Sequence, residues 1–390
     1  MSLDIKAILK EMITRGASDL HLKVASPPIL RINGSLLMLE QGEPSVQDMV
    51  AVAQQILTPS QREQFEKTRE IDFAFGVPGV ARFRANFYVQ RGSIAMVFRH
   101  VPVEIKTLDQ LGLPPILRDL SLKPRGLILV TGTVGSGKST TLASMVDIIN
   151  TECHSHVITI EDPIEFLHRD KQSIISQREV GADTGSYEEA LKYILRQDPD
   201  AILIGEIRDA ESMKVALTAA DTGHLVLSTM HTIDTTQTIS RIISFFPPHQ
   251  HQEIRYLLAS TMQAVVSQRL VADQGNQCRF PAVEVMIATS TIRDYIRDPE
   301  KTALIRQAVQ EGFVQYQMQT FDQSLMQLYK QGKITLETAM HASSNPHEFS
   351  LRVKGIQASS DTTWDRFEQG DAAPATSSVG VPEGTTLDLS

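Results

Sequence analysis

Apolar residues recur at two different periods along this chain. At the start, Ile5, Ile8, Leu9, Met12 and Ile13 fall at helical spacing, with Lys6, Lys10 and Glu11 between them. That pattern predicts an amphipathic first helix packed on its own domain. Strand-like pieces follow at Leu20 to Val24 and Ile29 to Leu39, with a turn at Asn33-Gly34. A helical stretch is predicted from Val46 to Phe65, with Ser45 as its N-cap. The period then changes to two. Ile71, Phe73 and Phe75 alternate before Pro78-Gly79; Phe83, Ala85, Phe87 and Val89 alternate with Arg82, Arg84, Asn86 and Tyr88; a third run spans Ile94 to Phe98. This predicts an antiparallel meander. Residues 1–103 therefore read as a small α+β domain. The prolines 102, 114, 115 and 124 place a linker at 104–125.

From residue 126 to 355 the pattern is of another class. Nearly all-apolar runs of four to six residues, around Leu127–Val130, Val157–Ile160, Ala201–Ile204 and Leu225–Met230, alternate with helical stretches. The helices are predicted at Lys138–Ile149, Tyr187–Arg196 and Glu211–Ala220. Such runs predict a largely parallel sheet covered on both faces. Ile254, Leu257, Leu258, Thr261, Met262, Val265 and Val266 predict one helix from Ile254 to Leu270, and 291–340 reads as mostly helical.

Composition narrows the picture. A chain of 390 residues suggests two or three domains. The net charge of −9 disfavours nucleic acid as the main partner. Residues 356–390 hold ten Ser or Thr, six acids and one base, and are predicted to form a disordered acidic tail. Trp364 and Phe367 lie in it, as a docking motif or as a loose clasp on the parent domain. Two cysteines, Cys153 and Cys278, cannot make a four-thiolate zinc site. No apolar run reaches the roughly 18–20 residues of a membrane span, and the first residues do not resemble a secretory signal.

The candidate chemistry starts at Gly132-Thr133-Val134-Gly135-Ser136-Gly137-Lys138-Ser139-Thr140, which fits G-x-x-x-x-G-K-[ST] at every fixed position. The glycines let successive N–H groups from Thr133 to Thr140 point at phosphate oxygens. Lys138 neutralises phosphate charge and the Ser139 hydroxyl can ligate Mg²⁺. An apolar strand precedes the loop and a helix follows, as the motif requires. The strand Ala201–Ile204 delivers Glu206 to its C-terminal edge, where it can contact Mg²⁺ or polarise a water. Thr159 to Phe166 ends another strand in Glu161, Asp162 and Glu165, and both Glu161 and Glu165 are candidate general bases. His224 and His231 bracket a six-residue strand, which offers a sensor for the terminal phosphate.

In this order the phosphate loop, TIEDPIEF, DAILIGEIRD and TGHLVLSTMHT resemble the secretion ATPases of type II secretion and type IV pili. Ala17 to Leu22 and Arg82-Phe83-Arg84 fit as well. The chain is most similar to the twitching-motility retraction type. The resemblance implies a PAS-like N-terminal domain and a RecA-like P-loop ATPase core, with ATP and Mg²⁺ as cofactors. It implies a cytoplasmic homo-hexamer at the pilus base, peripheral to the inner membrane, that acts on an inner-membrane platform protein. It also implies a possible partnership with a paralogous retraction ATPase. Lys138 and Ser139 match the loop's functional pair, Glu165 the acid-box glutamate, Glu206 the Walker B glutamate, and His224 and His231 the histidine box. Arg84 and Arg99 fall where N-terminal arginines reach the nucleotide, with Arg82 and Arg91 as competitors. Thr291 to Asp298 resembles the retraction motif AIRNLIRE, matching at Ile292, Arg293, Ile296 and Arg297. The alternatives are an accessory subunit that assists another ring, and an assembly or type II secretion ATPase.

Overall fold

The computed structural model describes residues 3–354, apart from 33, 274, 276 and 277. The predicted tail and its Trp364/Phe367 motif lie outside the described residues, as does Asn33 of the predicted turn.

The N-terminal part is a six-stranded antiparallel sheet with three helices. α1 (Ile5–Thr14) buries Ile5, Ile8, Leu9 and Met12, the stripe its sequence prescribes. β1 (Asp19–Lys23), β2 (Ser26–Ile32) and β3 (Ser35–Met38) form one half of the sheet. β4 (Glu70–Val77), β5 (Ala81–Gln90) and β6 (Ser93–Val101) form the meander, and the strand order is β3-β2-β1-β6-β5-β4. Phe83, Ala85 and Phe87 of β5 are buried, while Arg82, Arg84 and Asn86 lie on the opposite face.

Between α1 and the meander the expected single helix is two. α2 (Val46–Ile56) begins at a Ser45–Asp48 capping box, and α3 (Pro59–Thr68) begins at a second box on Thr58. Proline at the first position of α3 removes a donor and holds Thr58 extended, at ψ 162°, so the helix cannot run through.

Two short helices, α4 (Leu108–Leu111) and α5 (Ile116–Ser121), occupy the segment read as a linker. Their Leu108, Leu117 and Leu120 share one core with Ile128, Val130, Leu142 and Met145, so this segment is built into the following layer.

That layer is a seven-stranded sheet of order β13-β12-β7-β11-β10-β8-β9. Five neighbouring strands run parallel: β7 (Gly126–Thr131), β8 (His156–Glu161), β9 (Ile174–Glu179), β10 (Ala201–Ile204) and β11 (Leu225–Met230), with β9 at the edge. Helices α6 (Lys138–Glu152), α7 (Tyr187–Ile194), α8 (Ala210–Asp221), α9 (Thr235–Ser244) and α10 (His251–Thr261) interleave with or follow these strands. Every residue of β7, β10 and β11 is buried, as a sheet covered on both faces demands.

The helix expected to reach Leu270 stops at Thr261. Residues 262–272 instead form β12 (Met262–Ala272), parallel to β7 and antiparallel to β13 (Arg279–Ile287). The run from Ala264 to Gln268 is buried without interruption. Such a run suits a strand between two neighbours as well as a helix, and Val265 and Val266 favour the strand. The described residues end in α11 (Ser290–Arg297), α12 (Ile305–Glu311), α13 (Phe313–Tyr316), α14 (Phe321–Lys330), α15 (Leu336–Ala342) and α16 (Pro346–Val353). Ile292 and Ile296 of α11 are fully buried in the same core as β10 and β11.

Candidate nucleotide site

The loop between β7 and α6 carries the phosphate-loop motif. Gly132 is required there by close approach: a Cβ would sit 2.4 Å from the Gln268 carbonyl and 2.5 Å from Ser136 Oγ. Gly137, at φ +91°, is the N-cap of α6 and supplies no side-chain cap. The first N–H groups of α6 are therefore left for an anion, and the helix dipole favours one. Ser136 Oγ is buried with no hydrogen-bond partner among the described residues, an orphan that a phosphate oxygen would satisfy.

Lys138 lies buried and donates from Nζ to the carbonyls of Gly132 at 2.8 Å and Thr133 at 3.0 Å. Burial lowers its ammonium pKa, and Glu206 and Glu165 oppose that shift. Both carboxylates thus lie within electrostatic reach of the lysine.

The strand ends of the parallel sheet complete a cleft of about 200 Å³. Val134 and Gly135 line it from the loop, Lys138 and Ser139 from the first turn of α6, Glu161 from the last position of β8, Glu165 from the segment after it, Glu206 from just beyond β10, and His231 from just beyond β11. The sequence-predicted residues Lys138, Ser139, Glu165, Glu206 and His231 therefore meet in one place. Glu206 bonds on both oxygens: Oε1 is 3.0 Å from His231 Nε2 and Oε2 accepts from Arg208 Nη2 at 2.7 Å. Burial pushes its carboxyl up, but the bond to Arg208 and the proximity of His231 outweigh it and hold the carboxyl below its ordinary range. Glu161 is the opposite case. Burial raises its carboxyl, against hydrogen bonds from Thr159 and Gln177. The two carboxyls in this cleft are thus shifted in opposite directions.

Three expected residues lie elsewhere in this chain. His224 sits at the other end of β11 from His231, where its Nδ1 lies 3.0 Å from the Ala219 carbonyl at the end of α8. A six-residue strand separates the two imidazoles, so His224 does not reach this cleft. Arg84 and Arg99 are register partners on β5 and β6. They line an adjoining cleft with Asp162, Pro163 and Glu179, and Arg99 Nε donates to Asp19 Oδ1 at 2.8 Å. Arg208 and Tyr187 are site residues that sequence reasoning missed. Arg208 stands two positions after a strand-end acid, a readable signal. Tyr187 starts α7, and a Cβ on Gly205 would lie 2.8 Å from its hydroxyl, which only the folded sheet brings there. Among the described residues no cluster of three or more His, Cys, Asp or Glu is arranged to hold a metal ion.

Arg293 of α11 is half-buried and donates from Nη1 to the carbonyls of Ala259 and of Ser260, the latter at 2.9 Å. It thereby caps the C-terminal turn of α10. Arg297 is exposed and pairs with Asp294 at 2.9 Å.

The model of the type II/IV secretion system protein family matches residues 1–366. The type IV pilus retractation ATPase PilT of Pseudomonas aeruginosa is 42% identical over 347 residues, 89% of this chain and 100% of that one. The type IV pilus ATPase PilU of the same organism is 38% identical over 363 residues, 92% of this chain and 94% of that one. The crystal structure of the pilus retraction motor PilT with bound ADP superposes with a TM-score of 0.82 at 45% identity, covering 89% of this chain and 98% of that one. The ATPase DotB of Legionella pneumophila shares the fold, with a TM-score of 0.70 at 24% identity over 91% and 96% of the two chains. By motif, cleft and relatives alike, this chain belongs to the type II/IV secretion system protein family and is a nucleotide-binding, RecA-like ATPase of it.

Proposed function

We propose that this chain is the ATP-hydrolysing motor of type IV pilus retraction, the activity that drives twitching motility. The observation that carries the reading is the convergence of Lys138, Glu165, Glu206 and His231 on one strand-end cleft, in a chain 42% identical to a pilus retractation ATPase. The motor works as a homo-hexameric ring on the cytoplasmic side of the inner membrane at the pilus base. It acts on an inner-membrane platform protein and alongside a paralogous retraction ATPase where one is present. No helix among the described residues is long and apolar enough to cross a membrane.

In this reading ATP is the substrate. The loop N–H groups from Thr133 to Thr140 cradle its phosphates, and Lys138 leaves its two carbonyl partners to pair with the terminal phosphate. Ser139 and Glu206 would hold Mg²⁺, which neutralises phosphate charge when bound. Glu165 takes the proton of a water that attacks the terminal phosphorus as the bond to ADP breaks. His231 holds Glu206 and senses whether that phosphate is present. Arg84 and Arg99 swing from the adjoining cleft toward nucleotide held by their own or a neighbouring subunit, where arginine stabilises the developing charge.

Cells tell the directions apart. Lys138→Ala in place of the native gene should abolish twitching and leave cells hyperpiliated. Loss of pili instead would assign the motor to assembly, and normal twitching would make the chain an accessory whose hydrolysis is dispensable.

A further inference from the structure

Two acids at neighbouring strand ends act on the backbone that carries Glu165. Glu161 closes β8 and Glu179 closes β9, and the two are register partners. Glu179 Oε2 accepts the N–H of Ile164 at 3.2 Å, and Glu161 Oε2 accepts the N–H of Glu165 at 3.4 Å. The other oxygen of Glu161 is tied by Thr159 Oγ1 at 2.7 Å and Gln177 Nε2 at 3.1 Å. The 161–165 segment lies outside the regular elements from Asp162 onward, so these carboxylates help set its shape.

Glu179 is only 4% exposed, and its countercharge comes from the other sheet. Arg82 Nη2 on β5 donates to the same Oε2 at 3.1 Å, across 97 residues of sequence. The period-two pattern of β5 explains the reach, because Phe83 and Ala85 face their own core and Arg82 faces away from it. A backbone bond from Leu167 N to the Pro102 carbonyl, at 3.3 Å, crosses the same junction. Neither Arg82 nor Glu179 lines the nucleotide cleft, whereas Glu165 does.

We propose that Arg82 and Glu179 are a positioning pair through which the seating of the N-terminal sheet sets the working position of Glu165. Arg82 fixes the Glu179 carboxylate, the carboxylate fixes the Ile164 N–H, and the next side chain along is the proposed proton acceptor. Movement between the two sheets then switches turnover while leaving nucleotide affinity in place. The inference rests on the reading of Glu165 as that acceptor.

The test uses the purified full-length chain. The readouts are kcat from phosphate release and affinity from titration with a fluorescent ADP analogue. Glu179→Gln and Arg82→Gln should each lower kcat about ten-fold, since small misplacements of a reacting group cost this much, with affinity held within about two-fold. The double variant should be no slower than the slower single, as for two members of one linkage. Arg82→Lys, which keeps a cation, should recover much of the loss. Glu165→Gln alone should cost about 100-fold, and adding Glu179→Gln to it should cost nothing further. Unchanged kcat in the Arg82 and Glu179 variants, affinity lost in step with kcat, multiplied losses in the double, or a further loss on top of Glu165→Gln would each overturn the pair while leaving Glu165 itself standing. Wild-type turnover in Glu165→Gln would overturn the reading of Glu165 and the pair with it. The Arg82 variants alter a side chain that is 25% exposed, so they keep the test open should Glu179→Gln fail to fold.

Discussion

Replacing Glu206 by glutamine separates catalysis from folding. The carboxylate meets two donors, Arg208 Nη2 at 2.7 Å and His231 Nε2 at 3.0 Å. The amide offers one oxygen and turns its NH₂ toward the other donor, so one of the two bonds is lost. The Arg208 side chain is 72% exposed, and water replaces much of what that bond supplied. The stability cost is therefore about 1 kcal/mol or less. The rate cost is larger, because an amide does not carry the charge that would hold Mg²⁺ and orient water beside it. Losing such a preorganised group costs about 10²–10³-fold, or about 2.7–4.1 kcal/mol of barrier at 1.36 kcal/mol per factor of ten. Glu206→Gln should thus be a folded protein that binds ATP and barely hydrolyses it. Single-turnover phosphate release beside equilibrium ATP titration measures both quantities. A kcat within about three-fold of wild type, or affinity falling in step with kcat, would refute the assignment.

Arg293→Ala removes two charged-donor bonds from the end of α10 and should cost about 1–2 kcal/mol of stability, whereas Arg297→Ala, which breaks one surface pair, should cost less than about 0.5 kcal/mol. Thermal unfolding of the two variants checks this, and equal midpoints would contradict the capping role. Arg297→Ala, with hydrolysis intact, also tests whether α11 transmits force: lost twitching supports that, and normal twitching refutes it. His168, whose Nδ1 is buried without a hydrogen-bond partner among the described residues, is held by burial at a pKa of about 4 against an ordinary 6.5. The unfolded chain therefore binds a proton that the native chain does not between those values. Native stability falls as pH falls through this window, by up to about 3 kcal/mol. His168→Gln should remove that part of the pH dependence of the urea midpoint, and an unchanged slope would refute the buried neutral state.

The site was readable where one short segment carries its whole logic. The glycines, Lys138 and Ser139 stand at fixed spacing on a strand–loop–helix unit, and Glu206 follows, after Gly205, an apolar run of strand length. Spacing misled where a residue's role depends on which strand end it occupies: His224 and His231 flank the same strand, yet parallel topology sends them to opposite edges of the sheet. The helix expected through Leu270 failed for a related reason, since a run buried on all sides has no period to read. The capping role of Arg293 had no sequence signal, because the carbonyls it meets belong to another helix. The Arg82–Glu179 pair had no sequence signal. It joins two sheets across 97 residues, and only alternation in β5 hinted that the arginine leaves its own core.

The central claim is that this cleft hydrolyses ATP with Lys138 bearing the phosphate charge. Steady-state phosphate release from the purified full-length chain, wild type beside Lys138→Ala at saturating ATP and Mg²⁺, tests it most directly. The geometry predicts turnover in the wild type and a loss of about 10²–10³-fold in the variant, the usual cost of removing one donor from a developing anion. Turnover in Lys138→Ala close to that of the wild type would contradict it.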